Sequence, residues 1–219
     1  MSTPASLLLI NPNTTGSVTR LLHEHVSAEL GPGVAVQAVT ARFGAPYIAD
    51  EVSYAIAGHA VVDAWQAQAA PGPVLIGCFG DPGLFALREC SVAPVTGLAE
   101  AAFAEAAALG RFAIVTGGAR WEPMLRRLAQ ALGYEQALAG IHAVAPTGAQ
   151  LAADPEAAQA LLAQACLEAV RQHDPQAVII GGAGLAGMAR LLQPRVPVPL
   201  VDSVRAGARR LAAALRAAP

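Results

Sequence analysis

Short apolar runs recur along the chain, separated by longer stretches in which apolar residues return every third or fourth position. Residues 7–10, 74–77, 112–115 and 177–180 are such runs. Each leaves through a polar or glycine-rich turn: Asn11-Pro12-Asn13-Thr14-Thr15-Gly16, Cys78-Phe79-Gly80-Asp81-Pro82-Gly83, Thr116-Gly117-Gly118 and Gly181-Gly182-Ala183-Gly184. An apolar run of strand length without alternation predicts a strand buried on both faces. Residues 34–39 alternate apolar and polar positions and predict a further strand, and residues 199–201 a last short one.

Between these runs the period changes to that of a helix. Val18, Leu22 and Val26 stand four apart, with Thr14 or Thr15 placed to cap the helix they mark. Further helices are predicted at about residues 51–69, around Met124, Leu125 and Leu128, over residues 155–170, and over residues 203–217 with Asp202 as its cap. Pro71-Gly72-Pro73 stops the second of these, and residues 41–47 read as a loop.

Strand, turn and helix therefore alternate throughout, which predicts an α/β fold built on parallel sheets flanked by helices. Halves of roughly 105 residues match one another: the Asn13 turn aligns with the Gly118 turn, and the Cys78 turn with the Gly182 turn. The expected architecture is two similar lobes related by pseudo-two-fold symmetry, residues 1–97 and 98–200, with residues 201–219 as a closing helix. Ligands of such sheets bind beyond the carboxyl ends of the strands. All four turns lie at those ends, so the active site is expected between the lobes.

Composition narrows the function. The chain is 54% hydrophobic and 14% charged, enough to build a substantial core. Its net charge is −2, without a basic stripe, so nucleic acid is not an expected partner. No window is long and apolar enough to predict a membrane span, and Met1 to Ser6 lack a basic leader; a cytoplasmic protein that binds no membrane is expected. Three cysteines without CxxC spacing predict reduced thiols, and the scattered histidines predict no metal site. GxGxxG does not follow the first strand and there is no Walker A lysine, so no nucleotide cofactor is predicted.

Cys78 is the leading candidate for chemistry. It follows a buried strand and precedes a turn into a helix, whose dipole would lower the pKa of a nearby thiol. Gly77 and Gly80 would let a ligand approach the backbone. The structural alternative is a small buried hydrophobe, which is the reading for mid-helix Cys166; Cys90, at a helix end, reads as structural or incidental. Asn11 and Asn13 suit a turn and also suit binding of a carboxylate, amide or imide. Thr116, Gly117 and Gly118 suit a tight turn or a carbonyl cradle. Asp81 reads as a turn residue.

Taken in order, these motifs resemble a known family. Ile10-Asn11-Pro12-Asn13-Thr14-Thr15 resembles the opening signature of hydantoin and allantoin racemases, within the aspartate/glutamate/hydantoin racemase superfamily. Cys78-Phe79-Gly80-Asp81-Pro82-Gly83-Leu84 resembles their first catalytic cysteine loop. Val95-Thr96-Gly97-Leu98-Ala99-Glu100-Ala101-Ala102 resembles the segment that follows, and Pro199-Leu200-Val201-Asp202-Ser203-Val204 their last strand and helix start. The resemblance implies cofactor-independent racemisation or isomerisation of a small-molecule substrate (a hydantoin, allantoin or an amino-acid-like compound), by two thiols facing each other across a carbon next to a carbonyl. It implies that Cys78 is one thiol, that Asn11, Asn13, Thr14, Phe79, Gly80, Thr116, Gly117, Gly182 and Ala183 surround the substrate, and that the protein is a homo-oligomer. The family pattern at the second thiol is Gly-Cys-Ala-Gly. Gly181-Gly182-Ala183-Gly184 carries glycine there, which leaves open a single-cysteine decarboxylase of a substituted malonate or a non-catalytic ligand-binding homologue.

Overall fold

The computed structural model describes residues 5–69 and 72–217. Its first half runs β1 (Ala5–Asn11), α1 (Gly16–Leu30), β2 (Val34–Thr40), α2 (Glu51–Gln66), β3 (Val74–Ile76), α3 (Leu84–Cys90), β4 (Val95–Gly97) and α4 (Leu98–Ala107). The second half runs β5 (Phe112–Gly117), α5 (Trp121–Ala131), β6 (Leu138–Val144), α6 (Gly148–Ala153), α7 (Pro155–His173), β7 (Ala177–Gly181), α8 (Met188–Leu192), β8 (Leu200–Asp202) and α9 (Ser203–Ala217).

The strands form two four-stranded sheets in the orders β2-β1-β3-β4 and β6-β5-β7-β8. Every pairing in both sheets is parallel. The identical orders are the predicted internal repeat. Strand periodicity then divides the core into layers. Leu7, Leu9 and Leu75 of the first sheet, and Phe112, Ile114, Ala177 and Ile179 of the second, join one central apolar cluster. The alternate residues face outward into two smaller clusters: Leu8, Ile10, Val74 and Ile76 in one, Ala113, Val115, Val178 and Ile180 in the other. Each run is apolar at successive positions because both faces of the strand are buried.

The two sheets face each other across the central layer. Helix α4 leaves the first sheet and packs on β7 and β8 of the second, while α9 leaves β8 and packs on β3 and β4 of the first. Phe103 of α4 links the halves by stacking on Phe112, with ring centroids 5.5 Å apart, and by an edge contact with Phe79 at 6.1 Å. Glu29 of α1 pairs with Arg205 and Arg209 of α9, and Arg209 also holds Glu105 of α4.

Several boundaries differ from the sequence reading, each for a local reason. Helix α2 ends at Gln66, three residues earlier than expected. There Gln68 Nε2 donates to the Ala64 carbonyl at 3.0 Å, supplying the partner that another turn of helix would have provided. Pro71 lies outside the described residues, as do residues 1–4 of the expected leaderless start. Thr15 is the N-cap of α1 but makes no side-chain cap; its hydroxyl donates instead to the Pro46 carbonyl at 2.6 Å. Strands β4 and β6 and helix α4 were not anticipated. β4 has three residues, and α4 is so alanine-rich and so widely buried that it shows no polar face. β6 is an edge strand in which Gly140 leaves room for the ring of His173.

Candidate active site

The four predicted turns do converge. They meet between the sheets at the carboxyl ends of β1, β3, β5 and β7, around a cleft of about 490 Å3 that includes the open space at its mouth. Among the expected residues, Asn13, Cys78, Phe79, Thr116, Gly117, Gly182 and Ala183 line it. Asn11, Thr14 and Gly80 do not.

Those three lie outside its lining. Asn11 is fully buried. Its Nδ2 donates to Asn13 Oδ1 at 2.9 Å and to Thr19 Oγ1 at 2.9 Å, while its Oδ1 accepts the Asn13 N–H at 3.2 Å. Asn13 Oδ1 in turn accepts the Thr15 N–H at 2.9 Å, an Asx turn. Asn11 thus holds Asn13, the member of the pair that reaches the cleft. Thr14 ties the turn to a neighbouring loop through its N–H, which donates to the Ala45 carbonyl at 3.2 Å. Gly80 adopts a φ of +144°, which favours glycine, and the Trp121 indole occupies the space above it. The Gly80 carbonyl accepts the Tyr54 hydroxyl at 2.8 Å.

Cys78 emerges from β3 into the cleft and is largely buried. The helix dipole does not govern its acidity. Helix α3 begins six positions later and has only seven residues. Burial pushes the Cys78 thiol well above the usual cysteine range, and the carboxylate of Asp81 raises it further. Burial therefore shifts the thiol upward, opposite to the lowering that its place before a helix suggested.

Asp81 does more than start a turn. It is buried with φ +52°, and its carboxylate accepts the N–H groups of Ala99 at 2.9 Å and Glu100 at 2.7 Å, at the N-terminus of α4. A carboxylate at this end of a helix meets unpaired donors and a favourable dipole. Gly97 makes the approach possible, because a side chain there would overlap the carboxylate. Burial outweighs these donors and raises the Asp81 pKa to about 7.

On the second half, Thr116 Oγ1 donates to the Gly181 carbonyl at 2.8 Å and so joins the ends of β5 and β7. The far wall is Gly181, Gly182, Ala183, Gly184 and Leu185, none of which is ionisable. Gly182 has φ +145°, again a glycine-favouring angle. A Cβ placed on it would meet only Leu185, at 3.4 Å, so the cleft is not closed around this position. Asp202 caps α9 as expected, accepting the Val204 N–H at 3.0 Å, and also accepts the Gly187 N–H at 2.7 Å.

Sequence reasoning missed Tyr47, Ile48, Val18, Trp121 and Leu185 as cleft residues. Val18 and Leu185 carried only the signal of apolar packing. Tyr47 stood in a segment read as a plain loop, and Trp121 three residues beyond Gly118. Cys166 is buried in the outer core of the second half, as its helical position predicted, and Cys90 is exposed at the end of α3. Among the described residues, no group of three or more His, Cys, Asp or Glu side chains is placed to hold a metal ion, and no helix is long and apolar enough to cross a membrane.

Two facing parallel sheets with a thiol at the end of one central strand and a glycine-rich wall at the end of its counterpart define the class: a racemase-type isomerase. The family model described as Asp/Glu/Hydantoin racemase matches residues 7–211, and the chain belongs to that family. It is 31% identical over 207 residues to the hydantoin racemase of Paenarthrobacter aurescens, covering 93% of this chain and 88% of that one. The structure of an allantoin racemase from Pseudomonas fluorescens superposes with a TM-score of 0.91 at 30% identity, over 96% of this chain and 90% of that chain. The allantoin racemase from Klebsiella pneumoniae gives 0.89 at 32% identity, over 97% and 88%.

Proposed function

We propose that the protein is a cofactor-independent racemase of a hydantoin- or allantoin-like substrate, and that Cys78 transfers the proton at the carbon next to a carbonyl. The observation that carries this reading is the position of Cys78: among the described residues, it is the one thiol that lines the cleft. The relatives named hydantoin and allantoin racemase support this choice of substrate class.

The chemistry follows from the surroundings. A thiol raised by burial gives a strongly basic thiolate, suited to a weakly acidic carbon, although only a small fraction of it is ionised near neutral pH. The negative charge formed on the carbonyl oxygen needs fixed donors. Asn13 and the backbone N–H groups near Phe79 and Ala183 are the donors we assign to it. The Thr116 hydroxyl proton is committed to the Gly181 carbonyl, so Thr116 orients the wall and offers lone pairs to a ring N–H. On this reading Gly182 stands where the family carries its second thiol, and the open space beside it admits a bulkier substituent.

A second reading rests on the far wall. Its lack of ionisable side chains also suits a reaction that needs a single proton donor, such as decarboxylation of a substituted malonate.

Proton NMR in D2O tests both. The protein and its Cys78→Ala variant are incubated with 5-substituted hydantoins, allantoin and an arylmalonate. The expected result is α-proton exchange with loss of optical rotation in the ring substrates, abolished in the variant. Carbon dioxide release from the malonate, with no exchange in the ring substrates, would replace the racemase reading by the lyase. Binding without either reaction would leave a non-catalytic homologue.

A further inference from the structure

Inversion needs a proton carrier on each face of the carbon, and the far wall of the cleft supplies none. Among the described residues, two titratable side chains line the cleft: Cys78 and Tyr47. Thr116, the remaining hydroxyl, donates to Gly181.

Tyr47 lies in the loop between β2 and α2. The loop is fastened just ahead of it, where the carbonyls of Ala45 and Pro46 accept from Thr14 and Thr15. Immediately after it, Ile48 is buried in the central core. The chain on both sides of Tyr47 is thus anchored, and its side chain lines the cleft. Its phenol differs from that of Tyr54, which is committed to the Gly80 carbonyl at 2.8 Å. Burial raises the Tyr47 pKa beyond the usual tyrosine range, a charge on Cys78 raises it further, and both side chains line the same cleft.

On the racemase reading above, we propose that Tyr47 is the second proton carrier, serving the face of the carbon that Cys78 does not. The Cys78 thiolate takes the α-proton from one face; the C–H bond breaks, an S–H bond forms, and the electron pair stays on the substrate as an enolate. The Tyr47 O–H bond then breaks, and its proton joins that pair on the other face. The protein is left with a Cys78 thiol and a Tyr47 phenolate, the form that converts the opposite enantiomer. Exchange of protons with water restores the first form. The net charge is unchanged, because one negative charge has moved from sulfur to oxygen.

The test follows single enantiomers in D2O by chiral separation and mass. In the wild-type protein the inverted product should carry deuterium while the recovered starting enantiomer keeps its hydrogen. In Tyr47→Phe, racemisation should fall by about 100-fold or more, the usual worth of a general acid, while Cys78-dependent deuterium enters the starting enantiomer with retention. Racemisation by Tyr47→Phe within a few-fold of wild type would overturn the proposal. So would a parallel loss of exchange and inversion in a folded variant, which would mark Tyr47 as a positioning residue. Should the variant unfold, the wild-type labelling pattern decides: equal deuterium in both enantiomers from the first turnovers means a single carrier. Absence of any exchange in the wild-type protein is a separate result, and it removes the racemase reading itself.

Discussion

The ring of Phe79 fills the space that a side chain on Gly181 would need. A Cβ built on Gly181 would overlap the edge of that ring. Phe79 follows β3 and Gly181 ends β7, and both line the cleft, so the turn of one half presses on the turn of the other there. The same ring meets Phe103 edge-on, which fixes it from behind.

Gly181→Ala should therefore cost about 1–3 kcal/mol, the usual range for overpacking. Gly181 does not have a positive φ, so the cost is steric. Urea unfolding of the variant should show a lower midpoint with an unchanged slope, and an unshifted midpoint would mean that Phe79 moves aside freely.

Asp81 should make stability fall as pH rises toward neutrality. Its folded pKa, about 7, lies above its ordinary value of 3.8. Between these values the unfolded chain is ionised while the folded one keeps its proton. The folded state binds more protons there, so stability is full below about pH 4 and declines up to about pH 7, by about 1.4 kcal/mol per pH unit at most. Asp81→Asn should flatten that slope. Asparagine tolerates the positive φ, but its NH2 cannot accept one of the two α4 N–H groups, so a loss of about 1–3 kcal/mol is also expected. Urea midpoints from pH 4 to pH 8 check both; equal slopes in the two proteins would refute the assignment.

The raised thiol predicts the pH dependence of turnover. If the Cys78 thiolate is the working base, kcat/KM for α-proton exchange should climb about tenfold per pH unit through pH 7–9 without levelling near the usual cysteine range. A plateau below pH 8 would mean that substrate or an opened cleft lowers the thiol. Initial rates by NMR across that range distinguish the two.

Gly182→Cys should exact a backbone cost although there is room for its side chain. The added Cβ meets only Leu185, yet φ of +145° is seldom adopted by an L residue. A loss of about 1–3 kcal/mol is expected for holding a side chain there. Thermal unfolding measures it, and an unchanged midpoint would show that the turn relaxes without penalty.

Cys78 and the Thr116 turn were legible in the sequence because special residues followed recognisable strands. Asn11 and Asn13 were equally legible but not separable, since both are turn-forming amides and only packing shows which one is buried beneath the other. Tyr47 and Trp121 were not legible as cleft residues. The first comes from a loop some 30 positions before Cys78 and the second from α5 some 40 positions after it, and neither carries a local signature of facing a cavity. The acidity of Cys78 was misjudged for a related reason. Proximity to a helix is written along the chain, whereas burial by residues from both halves is not.

The sequence by itself determined the alternation of parallel strands and helices, its repeat and the four turns that end the central strands. Two-sided burial and helical periodicity leave their marks within a few neighbouring residues, and the turns need glycine, proline or asparagine wherever they occur. Only the tertiary structure decided how the halves exchange α4 and α9, which turn residues reach the cleft, and how strongly Cys78 and Asp81 hold their protons. Those properties depend on desolvation and on contacts between residues far apart in the chain, and no local pattern encodes either.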